Sequence, residues 1–312
     1  MQRAITDFGA DHSFAEAAKK LKEHYQIEVP VSATRSTTQR HAQAMVERQV
    51  LIGDTSKRGV LQLIGEMDGT NVPVVIIPEK SKKNRAIDRR KLRQVGWREA
   101  RLCLARRPES ITARYRATMG GVDEAGKQLK ACFVEAGGGT STRLHCVGDA
   151  ASWIINQVER RFSSQASYLI DFFHVSEYLS AAAEELAGEK KQEWLNRQQE
   201  KMKENRVSEV IRSLREAAKS REKEGSESAV RICERYVSNH EQYFDYEGAL
   251  EKGLPIGSGE VEGGHRWVIQ KRLKLSGAWW KEENAEKMLA LRVVRANDEW
   301  QSYWNEVRQA AA

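Results

Sequence analysis

The sequence predicts a mixed α/β fold in which a small sheet is flanked by helices. Apolar and β-branched residues dominate residues 61–77, a composition that favours strands. Residues 143–162 and 168–186 each show a strand pattern that passes directly into a helical one, which favours parallel strands. Residues 189–236 are highly charged and helix-forming throughout. We therefore expect a helical insertion into the sheet domain at about residues 189–250.

The segment ahead of the first strand is predicted to be helical. Apolar residues recur at three- and four-residue spacing over residues 13–25, and a second helix is expected over residues 39–48, starting from Thr37 or Thr38. Two short helices around a turn resemble a helix-turn-helix, although the same pattern occurs in helical domains without a DNA partner. Residues 1–60 are therefore assigned to this segment and residues 61–312 to the sheet domain.

The first strand pattern contains an Asp-Gly pair. Apolar residues lead into Asp68-Gly69, and β-branched residues resume at Val72, which predicts a hairpin with Asp68 at the end of its first strand. Turn chemistry alone also accounts for such a pair, so both a structural and a functional role are open. Residues 97–105 are predicted as a further strand and residues 123–135 as a helix.

Two more acids are predicted at strand ends. Asp149 ends the strand that begins at residue 143, and Asp171 lies in the strand pattern of residues 168–174. Functional residues gather at the carboxyl ends of parallel strands, so we expect these acids to lie close together. Asp171 and His174 could coordinate a metal or contact DNA, but capping the next helix is equally compatible with their spacing, and we favour that supporting role.

A Pro- and Gly-containing break near residue 255 introduces another helix. Ser258 is expected to cap it, and Glu260 lies in its first turn, where the helix dipole favours an acid. Glu262 follows, and it is a second acid of the same helix that could belong to a site. The far end of this helix is basic, and its candidate phosphate contacts are Arg266, Lys271, Arg272 and Lys274. The plain alternative is a capped surface helix with a solvated basic end.

Composition excludes several classes of protein. Charged residues make up 30% and hydrophobic residues 40%, which is typical of a globular chain. No apolar run approaches the roughly 20 residues needed to cross a bilayer. The four cysteines lack CxxC spacing, so reduced thiols in the cytoplasm explain them better than disulfides or zinc. The histidines at 145, 240 and 265 are expected to be structural.

The net charge of +7 favours an anionic partner. Residues 80–93 form a basic run in which Lys82, Lys83 and Arg85 are candidate DNA contacts, with a solvated loop as the default interpretation. Carboxylates that meet at one point can hold two divalent ions about 4 Å apart, and such a pair activates a water or a 3′-hydroxyl against a phosphodiester. The order of the acids along the chain allows such a site.

The sequence resembles bacterial insertion-sequence transposases of the ISKra family, from about residue 10 to 305. The motifs that carry the resemblance are MDGT (67–70), GDAASWI (148–154), IDFFHVSEYL (170–179), GSGEVEG (257–263) and KRLKLSGAWW (271–280). The resemblance implies a ribonuclease-H-like sheet with a helical insertion and a DDE metal triad. By motif match, the triad is Asp68, Asp149 and Glu262.

The resemblance also implies a function. The expected activity is hydrolysis at the end of a DNA element with Mg²⁺ or Mn²⁺, two ions per site, followed by strand transfer by the freed 3′-hydroxyl. The expected partners are double-stranded DNA and a second copy of the chain in the DNA complex, in the cytoplasm and at the nucleoid when DNA is bound. Family members carry a longer N-terminal region, so a truncated or domesticated derivative that binds DNA without cleavage is an alternative. A ribonuclease-H-like nuclease is another.

Overall fold

The fold is a mixed α/β arrangement built on one sheet. A computed structural model describes residues 1–49, 57–77, 89–219 and 228–310. Within these ranges the sheet has five strands in the order β3-β2-β1-β4-β5. The strands are β1 (Gln62–Ile76), β2 (Gln94–Arg106), β3 (Arg114–Thr118), β4 (Arg143–Gly148) and β5 (Ala166–Ile170). The helices are α1 (Gln2–Asp11), α2 (Phe14–Tyr25), α3 (Val31–Arg48), α4 (Val122–Glu135), α5 (Ser152–Phe162), α6 (Phe172–Ala187), α7 (Lys191–Lys203), α8 (Val207–Lys219), α9 (Ala229–Asn239), α10 (Tyr246–Glu251), α11 (Gly259–Gly264), α12 (Lys271–Leu273), α13 (Glu282–Ala296) and α14 (Trp300–Gln309).

Strand β1 runs straight through the Asp-Gly pair. It pairs antiparallel with β2 from Ile64 to Ile76, and Asp68 lies opposite Leu102 in the middle of that ladder. The predicted hairpin at Asp68-Gly69 is therefore wrong. The cross-strand pairing with β2 continues on both sides of Gly69, and this long pairing outweighs the local turn preference. Asp68 is thus a strand residue with no role in a turn.

The two faces of the sheet carry different helices. Side chains alternate between the faces, and Leu63, Met67 and Cys103 pack on one side with residues of α4 and α5. On the other side, Val72 and Leu102 pack with residues of α13 and of the N-terminal helices. Asp68 has the parity of Val72 and therefore belongs to this second face.

The N-terminal helices share the core of the sheet. Three helices precede β1 in the described part of the chain, and α3 starts at Val31 after Pro30, well before the predicted start at residue 39. Ala10, Ala42 and Met45 are fully buried in the same cluster as Leu289 of α13. This segment is therefore packed on the sheet domain.

The charged segment after α6 is helical, as predicted, and forms α7, α8 and α9. Val210 and Leu214 of α8 and Val237 of α9 are buried in a cluster that also contains Leu179 of α6. The described part of the chain ends with two helices, α13 and α14. Within the described ranges, no helix has the length and apolar character that spanning a bilayer requires.

Candidate functional site

Strand register brings three acids to one level of the sheet. The parallel pairing of β1 with β4 ends at Glu66 opposite Val147, and that of β4 with β5 ends at Gly148 opposite Ile170. Continuing both registers places Asp68 beside Asp149, and Asp149 beside Asp171. Neighbouring strands lie about 4.8 Å apart, so these backbones are close, and alternation directs the three residues to the same face.

A cavity of about 220 Å³, which we call the acid pocket, lies where strands β4 and β5 end. It is lined by Asp68 and Asp149 from the sheet and by Glu262 from α11. The structure therefore brings the three predicted triad residues to one pocket. The other lining residues are Met67, Gly148, Asp171, Phe173, His174, Glu177, Ser258 and Val261.

Asp171 joins two elements that border the pocket. Its Oδ1 accepts hydrogen bonds from the backbone N–H groups of Phe173 (2.6 Å) and His174 (3.2 Å), so it caps α6. Its Oδ2 accepts the N–H (2.6 Å) and the hydroxyl (2.5 Å) of Ser258, at the start of α11. Both carboxylate oxygens are engaged, which gives Asp171 the supporting role favoured from its spacing. The predicted capping of α11 by the Ser258 side chain is wrong, because that hydroxyl is directed to Asp171.

Glu260 and Glu262 have different surroundings. Glu260 accepts a hydrogen bond from the Tyr115 hydroxyl at 3.3 Å and forms an ion pair with Arg106 at 3.4 Å. It does not line the acid pocket, whereas Glu262 lines it and is exposed. Glu262 is therefore the better-placed carboxylate of the two.

His265 contacts one of the predicted acids. Its Nε2 lies 3.0 Å from Oδ2 of Asp68, and its Nδ1 has no hydrogen-bond partner among the described residues. The residue opens a π-helical stretch, His265–Gln270, a conformation often found at functional sites. The sequence analysis groups His265 with the structural histidines. Its position one helical turn after Glu262 was the signal that could have indicated a place at the site. The other two do have structural partners, since His145 contacts the Pro255 carbonyl and His240 that of Tyr236.

Glu66 is a buried acid that the sequence analysis missed. It is 2% exposed, and its carboxyl accepts the backbone N–H of Val261 at 2.8 Å. Burial, with a smaller contribution from the charge of Glu260, raises its pKa to about 8, although the hydrogen bond from Val261 opposes the change. The contact attaches β1 to the first turn of α11, next to Glu262. An acid within the apolar run of residues 63–67 was the signal that could have revealed it.

The pocket carries excess negative charge. Burial raises the pKa of Asp149, and the nearby charges of Asp68 and Asp171 add to the effect, while a 2.9 Å hydrogen bond from the Ala151 N–H opposes it. Carboxylate oxygens are the ligands that Mg²⁺ and Mn²⁺ prefer, so this donor set fits such an ion chemically. As the side chains stand, no three His, Cys, Asp or Glu residues in the described ranges form a ready set of metal ligands.

The candidate phosphate contacts separate into two groups. Arg272 is buried between the rings of Phe14 and Trp280, 4.8 Å from each, and its Nε donates to the Gly9 carbonyl at 2.9 Å. Burial lowers its pKa to about 10. Because this guanidinium is packed inside the protein, Arg272 is not available to contact a phosphate, contrary to the prediction.

The remaining basic candidates of this helical segment are exposed. They are Arg266, Lys271 and Lys274. Lys274 donates to the Thr70 hydroxyl at 2.7 Å, two residues along β1 from Asp68. Lys82, Lys83 and Arg85 lie outside the described residues.

Comparison with known proteins places the chain in a family. None of the curated proteins matches it. Residues 9–309 match the family described as Uncharacterised protein family (UPF0236), a span that includes the whole pocket. The chain therefore belongs to the UPF0236 family.

Proposed function

We propose that this protein is a DNA transposase of the DDE type, which cleaves a phosphodiester at the end of a DNA element and transfers the freed strand. The observation that carries the proposal is the shared pocket. Asp68, Asp149 and Glu262 are distant in sequence, yet all three line it. Structural packing alone gives no reason for carboxylates to gather with so little compensating positive charge.

The fold supports the same proposal. The mixed sheet carries β1 at its centre, and the helical segment α7–α9 interrupts the chain between the acids of the sheet and Glu262. A mixed sheet with a helical segment at this place in the chain supports a ribonuclease-H-like fold for the catalytic domain, which we propose.

Two Mg²⁺ or Mn²⁺ ions would be held by Asp68, Asp149 and Glu262. When bound, they would lower the pKa of the attacking water or 3′-hydroxyl and offset charge on the leaving oxygen. Other groups of the chain hold these carboxylates in position. Asp171, through Ser258, fixes the start of α11 at the pocket, and His265 orients the carboxylate of Asp68.

The proposed partner is double-stranded DNA. The net charge of +7 favours a polyanion, and the exposed cations Arg266, Lys271 and Lys274 follow Glu262 on the same helical segment. Lys274 lies near Asp68 through its contact with Thr70 and can offset charge on a phosphate there. We further propose a homodimer in the DNA complex, since two element ends must be joined, and a cytoplasmic location at the nucleoid.

The decisive test is the cleavage of duplex DNA with Mg²⁺ or Mn²⁺ by the wild type and by Asp149→Asn. Loss of one charge-stabilising group at the reacting centre should lower the cleavage rate by at least about a hundredfold while DNA affinity is retained. Glu262→Gln should behave alike. Its matched control is Glu260→Gln, two residues away and outside the pocket, which should still cleave.

Retained cleavage by Asp149→Asn would refute the assignment. A wild type that binds duplex DNA but never cuts it would instead support the binding-only derivative. Cleavage confined to RNA–DNA hybrids would support the nuclease alternative.

A further inference from the structure

A second groove lies beside the helical segment that carries Glu262 and His265. Its volume is about 480 Å³, within the range of about 300–1,000 Å³ that small-ligand sites occupy. Gly264, Trp267 and Lys271 line it from this segment, and Arg292 and Arg295 line it from α13. None of the triad acids lines it, so it is distinct from the acid pocket.

The groove is positively charged. Asp11 of α1 forms ion pairs with Arg292, with Arg295 at 3.3 Å and with Lys271 at 3.7 Å. The lining residues thus contain three cations and one carboxylate, a net charge of +2 at neutral pH. Asp7, outside the lining, also forms an ion pair with Arg295 at 2.6 Å. Two carboxylates therefore offset three cations, and a net positive charge remains for an anionic ligand.

One cation at the groove has an unused donor. Arg292 is only 6% exposed, and its Nε has no hydrogen-bond partner in the described part of the chain. Its other nitrogens contact Asp11 and the Trp267 carbonyl. A buried donor left unpaired is unfavourable, so this position favours a ligand that brings an acceptor oxygen.

An exposed aromatic ring stands beside these cations. Trp267 is 65% exposed, and the Lys271 ammonium lies 5.5 Å from the centre of its ring. Ile111, also at the groove, is 94% exposed. A large exposed aromatic ring with a cation beside it is suited to a nucleobase with its phosphate.

We propose that this groove binds one unpaired nucleotide of the DNA substrate, with its base stacked on Trp267 and its phosphate at Lys271 and Arg292. The inference rests on the proposed function for its choice of DNA. The ligand is unpaired because a base inside a duplex is stacked on its neighbours and does not offer its face. The groove and the acid pocket share one helical segment, so the nucleotide held here belongs to DNA distorted near the cleavage position.

The test measures binding of a labelled oligothymidylate and of a blunt duplex of equal length by fluorescence anisotropy, with a chelator present so that cleavage plays no part. Trp267→Ala should weaken oligothymidylate binding about tenfold, since one stacked base contributes about 1–3 kcal/mol. Trp267→Phe should recover most of this loss, and duplex binding should be unchanged. The matched control is Trp97→Ala, which removes another exposed tryptophan (62%) outside the groove and should leave both affinities unchanged.

Wild-type oligothymidylate affinity in Trp267→Ala, or an equal loss for both DNAs, would overturn the inference. The two proposals fail separately. If the wild type never cleaves but its oligothymidylate binding depends on Trp267, only the transposase proposal fails. If Asp149→Asn abolishes cleavage while Trp267→Ala binds normally, only the groove proposal fails.

Discussion

At the scale of single residues, Glu66 has the clearest consequence for stability. Its carboxyl is buried under α11, and burial raises its pKa from 4.5 to about 8. The folded chain therefore holds this proton over a pH range in which the unfolded chain has released it. The sign follows from this difference: stability falls as pH rises from about 4.5 to about 8, because ionised Glu66 is costly to bury.

Glu66→Gln should remove that pH dependence. The amide keeps an acceptor oxygen for the Val261 N–H but cannot ionise. The free energy of unfolding of the variant relative to the wild type should therefore rise by a few kcal/mol from about pH 5 to about pH 9, since one pKa unit corresponds to about 1.4 kcal/mol. Urea denaturation over this pH range measures the difference. Parallel stability curves for the two proteins would contradict the assigned role of Glu66.

Some residues of the candidate site can be predicted from the sequence, and others cannot. Asp149 was predicted because a strand passing directly into a helix identifies its own carboxyl end, and the structure places it in the pocket. The contact of His265 with Asp68 joins residues almost two hundred positions apart (197). No local pattern encodes such a contact, because it depends on how α11 packs on β1. For the same reason Arg272 looked like a surface cation although the fold buries it.

At the scale of elements, local signals failed where long-range pairing decides. The Asp-Gly pair predicts a turn, yet β2 pairs with β1 on both sides of it. Strand β3 was not predicted, because its alternating arginines do not look like a buried strand. Arg116 is nevertheless buried there, with an ion pair to Glu135 at the end of α4. Each β-α step was found, because both of its halves are local patterns.

Asp171 should be the element-level determinant of where α11 lies. Asp171→Ala removes both the cap of α6 and the acceptor for Ser258, and should lower the free energy of unfolding by roughly 3 kcal/mol. Asp171→Asn keeps an acceptor oxygen for the cap and should cost less. Ser258→Ala, which loses only the hydroxyl, should cost least. Equal stability of Asp171→Ala and the wild type in chemical denaturation would show that Asp171 does not hold these elements together.

At the scale of the whole molecule, the N-terminal helices and the C-terminal helices interlock. His41 of α3 contacts the Tyr303 hydroxyl of α14 at 2.7 Å, and Arg272 donates to the Gly9 carbonyl of α1. Asp11 of α1 also lines the proposed nucleotide groove. The first helices therefore contribute a lining residue to the groove and hold the helical segment that follows Glu262.

This interlocking predicts that the N-terminal helices unfold together with the sheet. Met45 is fully buried beside α13, so Met45→Ala should cost about 2–5 kcal/mol, as should Leu289→Ala in α13 itself. Both variants should shift one shared transition, seen alike by circular dichroism and by tryptophan fluorescence. Glu47→Ala, on an exposed position of the same helix α3, is the control and should unfold like the wild type. If the first helices were an independent unit, Met45→Ala would instead produce a separate early transition and leave the main one unmoved.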